Sequence, residues 1–192
     1  MALLALVFFA ALSLNLILNF AVGVREVTQR KQIPALHLAY PWLILFVSTL
    51  LLWVFFARIF AFSRGILDFL LILPLSVLAS SVLEKLFYRF VVPPPEGMSA
   101  LFTVGSSYSE LTAVSVLLTL HFAVSFADAL LLSLSFAVGG FAVFLIIKEI
   151  QKRSSIEIIP YGLRGTPILL ISMGILSLVF SAVSVLLLKS FL

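Results

Sequence analysis

The sequence predicts an all-α polytopic membrane protein in which six transmembrane helices form two inverted three-helix repeats. Hydrophobic residues make up 63% of the 192 residues and charged residues 10%, whereas soluble domains carry about 25% charged residues. Six apolar stretches approach the ~20 residues that a helix needs to cross a bilayer, and they occupy residues 2–22, 33–56, 66–83, 99–120, 122–147 and 166–188. Arg64-Gly65 and Arg164-Gly165 lie 100 residues apart, and each pair opens an apolar stretch. This placement suggests that one half of the chain repeats the other.

The positive charges predict the orientation of these spans. Lys and Arg residues that flank transmembrane helices are retained preferentially on the cytoplasmic side. The loops after spans one, three and five hold nine of them, and the opposite side holds three. This distribution predicts that both termini lie outside and the odd-numbered loops inside. The first three spans then start outside and the last three start inside, which makes the repeat inverted, as in many transporters.

The chain is predicted to form a single membrane domain, with little length left for a soluble one. Repeat one covers residues 1–91, a linker covers 92–98, and repeat two covers 99–192. The linker contains three consecutive prolines, which cannot continue a helix. The first span lacks a basic leading segment and a small-residue cleavage site, so we expect a retained helix and not a signal peptide.

Composition excludes several classes of function. The chain contains no cysteine, which excludes disulfides and thiolate-held metal sites built from this chain alone. Its two histidines are scattered, and no catalytic constellation emerges. The net charge of +4 is explained by the flanking loops and does not indicate nucleic-acid binding. If the chain belongs to an enzyme, we expect it to be at most a non-catalytic subunit.

Span one carries two asparagines, Asn15 and Asn19, in an otherwise apolar stretch. Unpaired amides are costly in hydrocarbon, so both side chains need partners. They are four residues apart and therefore share one helix face. Two interpretations remain open: a helix–helix hydrogen bond, or the polar lining of a site at the seam between the repeats.

Span four is interrupted by small polar residues and an acid, Glu110. Counted from Ser99, Glu110 lies about 16 Å along a helix, near the middle of a hydrocarbon core of about 30 Å. An acid at that depth is a candidate functional residue and should be paired or protonated. The alternative is a structural ion pair, or a protonated carboxyl that bonds a neighbouring carbonyl. The Gly-Ser series before Glu110 also suggests that span four, like span one, is a broken helix. In span five, Gly139-Gly140 indicates close helix packing.

Several short motifs together resemble the Rnf/Nqr family of membrane subunits. The charged helix end 148–153, the Pro160-x-x-x-Arg164-Gly165 turn and a closing apolar helix match the C-terminal third of that family. Asn15 and Val22-Gly23-Val24 stand where the family has an asparagine and a Leu-Gly-Leu stretch in its first, broken helix, and Arg64 matches an arginine that heads the third helix. The outward termini fit the branch that contains the A subunit of Rnf and the E subunit of Nqr.

The resemblance implies a place in a redox-driven ion pump of a bacterial or archaeal cytoplasmic membrane, beside a homologous membrane subunit and further partners. In the family, two cysteines from each member of the pair hold a [2Fe–2S] cluster. Here the corresponding positions read Arg25 and Glu110, so we expect no cofactor on this chain and no metal site. We expect Arg25 and Glu110 to form an ion pair in place of the cluster. Alternatively, Arg25 extends to the cytoplasmic surface and Glu110 bonds a serine or stays protonated.

Three functions follow as alternatives. The first is a cluster-free relative of the Rnf/Nqr subunits that acts as a scaffold or as a component of an ion path. In that case Glu110 is the expected ion carrier, with Asn15 and Asn19 as polar neighbours. The second is a small-solute transporter, or the substrate-binding membrane component of one. The third is a structural assembly subunit in which Glu110 only holds helices together.

Overall fold

The computed structural model describes residues 7–20, 35–59, 66–90, 107–154, 160 and 165–191, and within these ranges all regular structure is helical. Three of the described helices are long and apolar enough to cross a membrane, at Ala39–Ala57, Phe126–Ser154 and Thr166–Leu187, and two shorter apolar segments lie at Phe9–Asn19 and Glu110–Phe122. The chain is therefore a helical, membrane-embedded protein. Six complete crossings and the inverted relation of the two halves stay predictions.

A short π-helical turn and six α-helices make up the described structure. The π-helical turn, π1, spans Phe9–Ser13. The α-helices are α1 (Leu16–Phe20), α2 (Ala35–Ile59), α3 (Ile66–Phe90), α4 (Ser107–Phe122), α5 (Phe126–Ser154) and α6 (Thr166–Phe191).

These helices group into two compact units that do not follow the two halves of the sequence. Unit 1 consists of Met1–Ile33 and Ser135–Leu192, and unit 2 consists of Pro34–Leu134. Unit 1 therefore combines the short first segment of the first half with α6 and with α5 from Ser135 onward, while the first nine residues of α5 belong to unit 2. Unit 2 combines the long α2 and α3 of the first half with the short α4 of the second. Each unit thus contains one short apolar segment and long helices from the opposite half.

In unit 2, α4 packs against both α2 and α3, which also pack against each other. The centre of this packing is formed by Leu52 and Phe56 of α2, Ile72 of α3, and Ala113 and Val116 of α4, all buried. Lipid is as apolar as these side chains, so close packing and hydrogen bonds, not the hydrophobic effect, hold such helices together.

In unit 1, π1 and α1 pack against α6, and π1 also meets the backbone of α5. A Cβ atom added at Gly139 of α5 would lie 2.5 Å from the carbonyl oxygen of Ala11. The backbone of π1 therefore lies so close to α5 that a side chain at position 139 would collide with it. This confirms that Gly139 marks a close contact between helices.

Short sequence motifs determine where α5 and α6 begin. Ser125 caps α5: its Oγ accepts from the backbone N–H of Asp128 (3.2 Å), while its backbone N–H donates back to the Asp128 carboxylate (3.0 Å). This is the reciprocal pattern of a capping box. Before α6, Gly165 has a left-handed backbone (φ 92°), which glycine adopts without steric cost. The glycine of the Arg164-Gly165 pair is thus a requirement of the turn.

Two helices continue beyond the apolar stretches that predicted them. Helix α3 continues to Phe90, seven residues past residue 83, and α5 continues to Ser154, seven residues past residue 147. Both extensions contain charged residues, and in α5 an exposed Arg153–Glu149 pair (3.1 Å) connects successive turns. Hydropathy marks where a helix leaves hydrocarbon, whereas helical hydrogen bonding continues into water.

Candidate functional site

The first span is interrupted between π1 and α1. Leu14 leaves helical geometry (φ −102°, ψ 29°), and Asn15 restarts the helix. The Asn15 Oδ1 accepts from the backbone N–H groups of Ile17 (3.2 Å) and Leu18 (3.4 Å), as an N-cap side chain does. Its Nδ2 donates to the carbonyl of Ala11 (3.0 Å). Asn15 is buried, and its amide satisfies backbone groups that the break exposes.

Asn19 ties the broken segment to α6. In a continuous α-helix the Ser13 carbonyl would accept from the N–H of Ile17, but here that N–H bonds the cap. The Asn19 Nδ2 donates to the Ser13 carbonyl instead, and the Ser177 hydroxyl of α6 donates to the Asn19 Oδ1 (2.6 Å). A second bond to α6 runs from the Ser13 hydroxyl to that of Ser184 (2.6 Å).

Two interpretations of the asparagines were open, a helix–helix hydrogen bond or the polar lining of a site. In the structure the two residues bond differently. Asn19 forms a helix–helix hydrogen bond, whereas Asn15 bonds within its own segment. Asn15 is buried and Asn19 is exposed. Ser177 stands at the centre of the Thr166–Leu187 span. Because the centre of a spanning helix lies near the bilayer midplane, the Asn19 amide lies near mid-depth as well.

Glu110 lies in the first turn of α4, and its side chain is exposed. A negative charge in the first turn of a helix is stabilised by the helix dipole, by about 0.3–1 kcal/mol at an exposed site.

Contacts between hydroxyl groups of α4 and α2 indicate how deep the first turn of α4 lies in the membrane. The Thr112 hydroxyl lies 3.4 Å from that of Ser48, and the Ser115 hydroxyl lies 2.5 Å from that of Thr49. Ser48 is the central residue of the Ala39–Ala57 span. Glu110 precedes Thr112 by two residues, or about 3 Å of helix. The carboxylate is therefore within one turn of mid-depth, the level that the count from Ser99 also indicates.

Parts of the predicted site lie outside the described residues. These are Arg25 and Val104-Gly105-Ser106, whereas Ser107, the last residue of the Gly-Ser series, already belongs to α4. The Arg25–Glu110 ion pair and the break in span four therefore stay predictions.

The hydroxyl contacts that hold the two short apolar segments against long helices were not predicted. Serines and threonines at helical spacing in an apolar stretch were a signal for them, but such spacing does not identify the partner helix. The hydroxyl residues concerned are Ser13, Ser177 and Ser184 in unit 1 and Ser48, Thr49, Thr112 and Ser115 in unit 2.

The residues present do not fit the thiolate-held cluster that the Rnf/Nqr resemblance implies. Such a cluster needs Cys sulfur, with His as the known substitute, and the chain contains no cysteine and two histidines. Within the described ranges, no group of three His, Cys, Asp or Glu residues could hold a metal ion. No protein-family model matches the chain, and no curated protein matches it.

Proposed function

We propose that this chain is a membrane subunit of an ion-translocating complex of the Rnf/Nqr kind. It holds no cluster, and it contributes the carboxylate of Glu110 to the ion path. The observation that supports this proposal is the position of Glu110, exposed in the first turn of a short helix whose Thr112 contacts the centre of the α2 span.

A carboxylate at the position of Glu110 has a free-energy cost in the membrane. A charged side chain at the centre of a membrane helix costs about 2.5–3.5 kcal/mol on insertion scales. The dipole of α4 returns at most about 1 kcal/mol. An exposed carboxylate at this depth is therefore unstable against lipid and requires a cation, a proton or a polar partner. A group that exchanges such partners is what an ion path needs.

The two asparagines have different parts in this proposal. Asn15 accepts hydrogen bonds from backbone N–H groups at the break in span one, so its role is structural. Asn19 bonds Ser177 of α6 and so fixes the same segment against that helix. The remaining steps of the complex, including electron transfer, belong to other subunits, among them a homologous membrane subunit.

The first experiment measures ion transport by the purified complex in proteoliposomes after Glu110→Gln. We expect transport to fall at least tenfold while the complex still assembles, because the amide is similar in shape but binds neither a proton nor a cation as a carboxylate does. Glu149→Gln is the matched control, since Glu149 is an exposed glutamate that pairs across one helical turn with Arg153. Unchanged transport in Glu110→Gln would remove Glu110 from the path.

The second experiment identifies the complex. Purification from native membranes in mild detergent, with mass spectrometry and iron analysis, should yield flavin-carrying and ferredoxin-like subunits together with this chain. An ATPase pair in their place would contradict the proposal and support a small-solute transporter.

A further inference from the structure

The short turn that joins α4 to α5 is apolar and exposed. Helix α4 ends at Phe122 and α5 begins at Phe126, and we call residues 122–126 the apolar tip. The large side chains of Phe122, Val124 and Phe126 are all exposed, and that of Val124 is 94% exposed. Contiguous apolar side chains at an exposed position mark a surface that meets a membrane or a partner and not water.

The depth of the apolar tip follows from the contact between α4 and α2. The Thr112 hydroxyl lies 3.4 Å from that of Ser48, the central residue of the Ala39–Ala57 span. Phe122 follows Thr112 by ten residues, which is about 15 Å of helix. Half of a hydrocarbon core of about 30 Å is also about 15 Å, and a tilt of α4 would leave the tip deeper still. The tip therefore reaches the boundary between acyl chains and headgroups and does not extend beyond it.

Polar groups of the apolar tip find partners within the tip and the two helices that it joins. The Ala123 N–H donates to the Thr119 carbonyl (2.8 Å), and the Ser125 carbonyl accepts from the Ala129 N–H (3.1 Å). The backbone N–H and the hydroxyl of Ser125 both donate to the Asp128 carboxylate (3.0 and 2.8 Å). Lipid supplies no partners for backbone groups, so a turn among acyl chains must satisfy them itself. These groups therefore do not need water.

We propose that the apolar tip is an interfacial anchor, which inserts among phospholipid acyl chains just below the headgroups and holds the α4–α5 hairpin at a fixed depth. Ser125 is the one polar residue of the tip, and its hydroxyl is bonded to Asp128, so the tip offers acyl chains an apolar surface. The Phe126 ring lies 6.2 Å from that of Trp53 in α2, and tryptophan is enriched at membrane interfaces. This anchor does not depend on the proposed ion transport.

The absence of native cysteine allows one fluorescent label at a time to report its surroundings. Val124→Cys in the full-length chain is labelled with bimane and reconstituted in phosphatidylcholine vesicles whose acyl chains carry bromine near the headgroup or near the bilayer centre. We expect shallow bromine to quench this label at least twice as strongly as deep bromine or aqueous iodide.

Two exposed positions on α5 are the matched controls. Val138 is exposed and lies twelve residues after Phe126, about 18 Å further along the helix, so deep bromine should quench Val138→Cys most. Lys152→Cys lies on the charged end of α5 and should be quenched most by iodide. Three results at Val124→Cys would overturn the proposal: dominant quenching by iodide, a profile like that of Val138→Cys, or protection from all three quenchers, which would mean that protein covers the tip.

A second variant tests whether the apolar side chains hold the tip in place. Val124→Asp, added to a bimane label at the exposed Ala127→Cys, puts a charge where acyl chains are expected, so iodide quenching of the label should rise at least twofold. Val124→Leu is the control and should leave the quenching unchanged. Both variants should keep the melting temperature of the chain, because the Val124 side chain is exposed. Equal iodide quenching in Val124→Asp and Val124→Leu would show that the tip is no anchor.

Discussion

The two short apolar segments of the molecule differ in how their polar side chains are partnered. The π1–α1 segment of unit 1 and α4 of unit 2 are both fastened near the middle of a long helix, through Asn19–Ser177 in one case and Thr112–Ser48 in the other. In the first, the buried amide of Asn15 bonds backbone groups of its own segment. In the second, Glu110 is exposed. A polar residue that satisfies its own chain is structural, and one that does not is a candidate for function.

This contrast predicts that Glu110 affects activity and leaves stability unchanged. Glu110→Gln should reduce ion transport at least tenfold, the largest effect expected from any single change. Its melting temperature in detergent should match that of the unmodified chain, because the carboxylate is exposed in the structure. A large drop in melting temperature would instead assign Glu110 a structural role.

The close contact of π1 with α5 predicts the largest effect on stability. Gly139→Ala places a Cβ atom 2.5 Å from the Ala11 carbonyl oxygen, and the backbone there has little room to shift. Overpacking of this kind costs about 1–3 kcal/mol. Gly174→Ala is the control, because its Cβ meets nothing within 4 Å and alanine favours the helix by about 1 kcal/mol. Thermal melting should separate the two variants in opposite directions, and equal melting temperatures would contradict the contact.

The break in span one predicts an intermediate effect on stability. Asn15→Ala removes the acceptor for the Ile17 and Leu18 N–H groups, and loss of an N-cap costs about 0.5–2 kcal/mol. Asn15→Ser should recover most of that stability, because serine is an equally good cap. If Asn15→Ser melts like Asn15→Ala, the side chain does not act as a cap.

The hydroxyl pair of Thr49 and Ser115 predicts the smallest effect on stability. Thr49→Val keeps the volume of the side chain but removes its hydroxyl contact with Ser115, and hydrogen bonds between membrane helices average about 0.6 kcal/mol. Ser81→Ala serves as the comparison, because the Ser81 hydroxyl bonds the Leu78 carbonyl within its own helix. Melting temperatures measured for both variants should show a small loss for Thr49→Val and less for Ser81→Ala.

Much of the helical content could be predicted from hydropathy, because every long apolar stretch must satisfy its backbone internally in lipid. The break at Leu14 and Asn15 was expected only in outline, since neither glycine nor proline marks it. The pairing of Ser177 with Asn19, and of Ser48 with Thr112, was beyond a single sequence because it depends on which helices become neighbours. The close contact at Gly139 was predictable as packing, but its partner Ala11 was not.

The proposed role of Glu110 depends most on the depth of this residue in the membrane. A single nitroxide label at Glu110→Cys, in a chain that has no other cysteine, reports depth through its relative exposure to oxygen and to a water-soluble nickel complex in proteoliposomes. Lys152→Cys on the charged end of α5 gives the value for the membrane surface. We expect residue 110 near the bilayer centre, far deeper than residue 152. Equal depths at the two positions would contradict a role for Glu110 in an ion path.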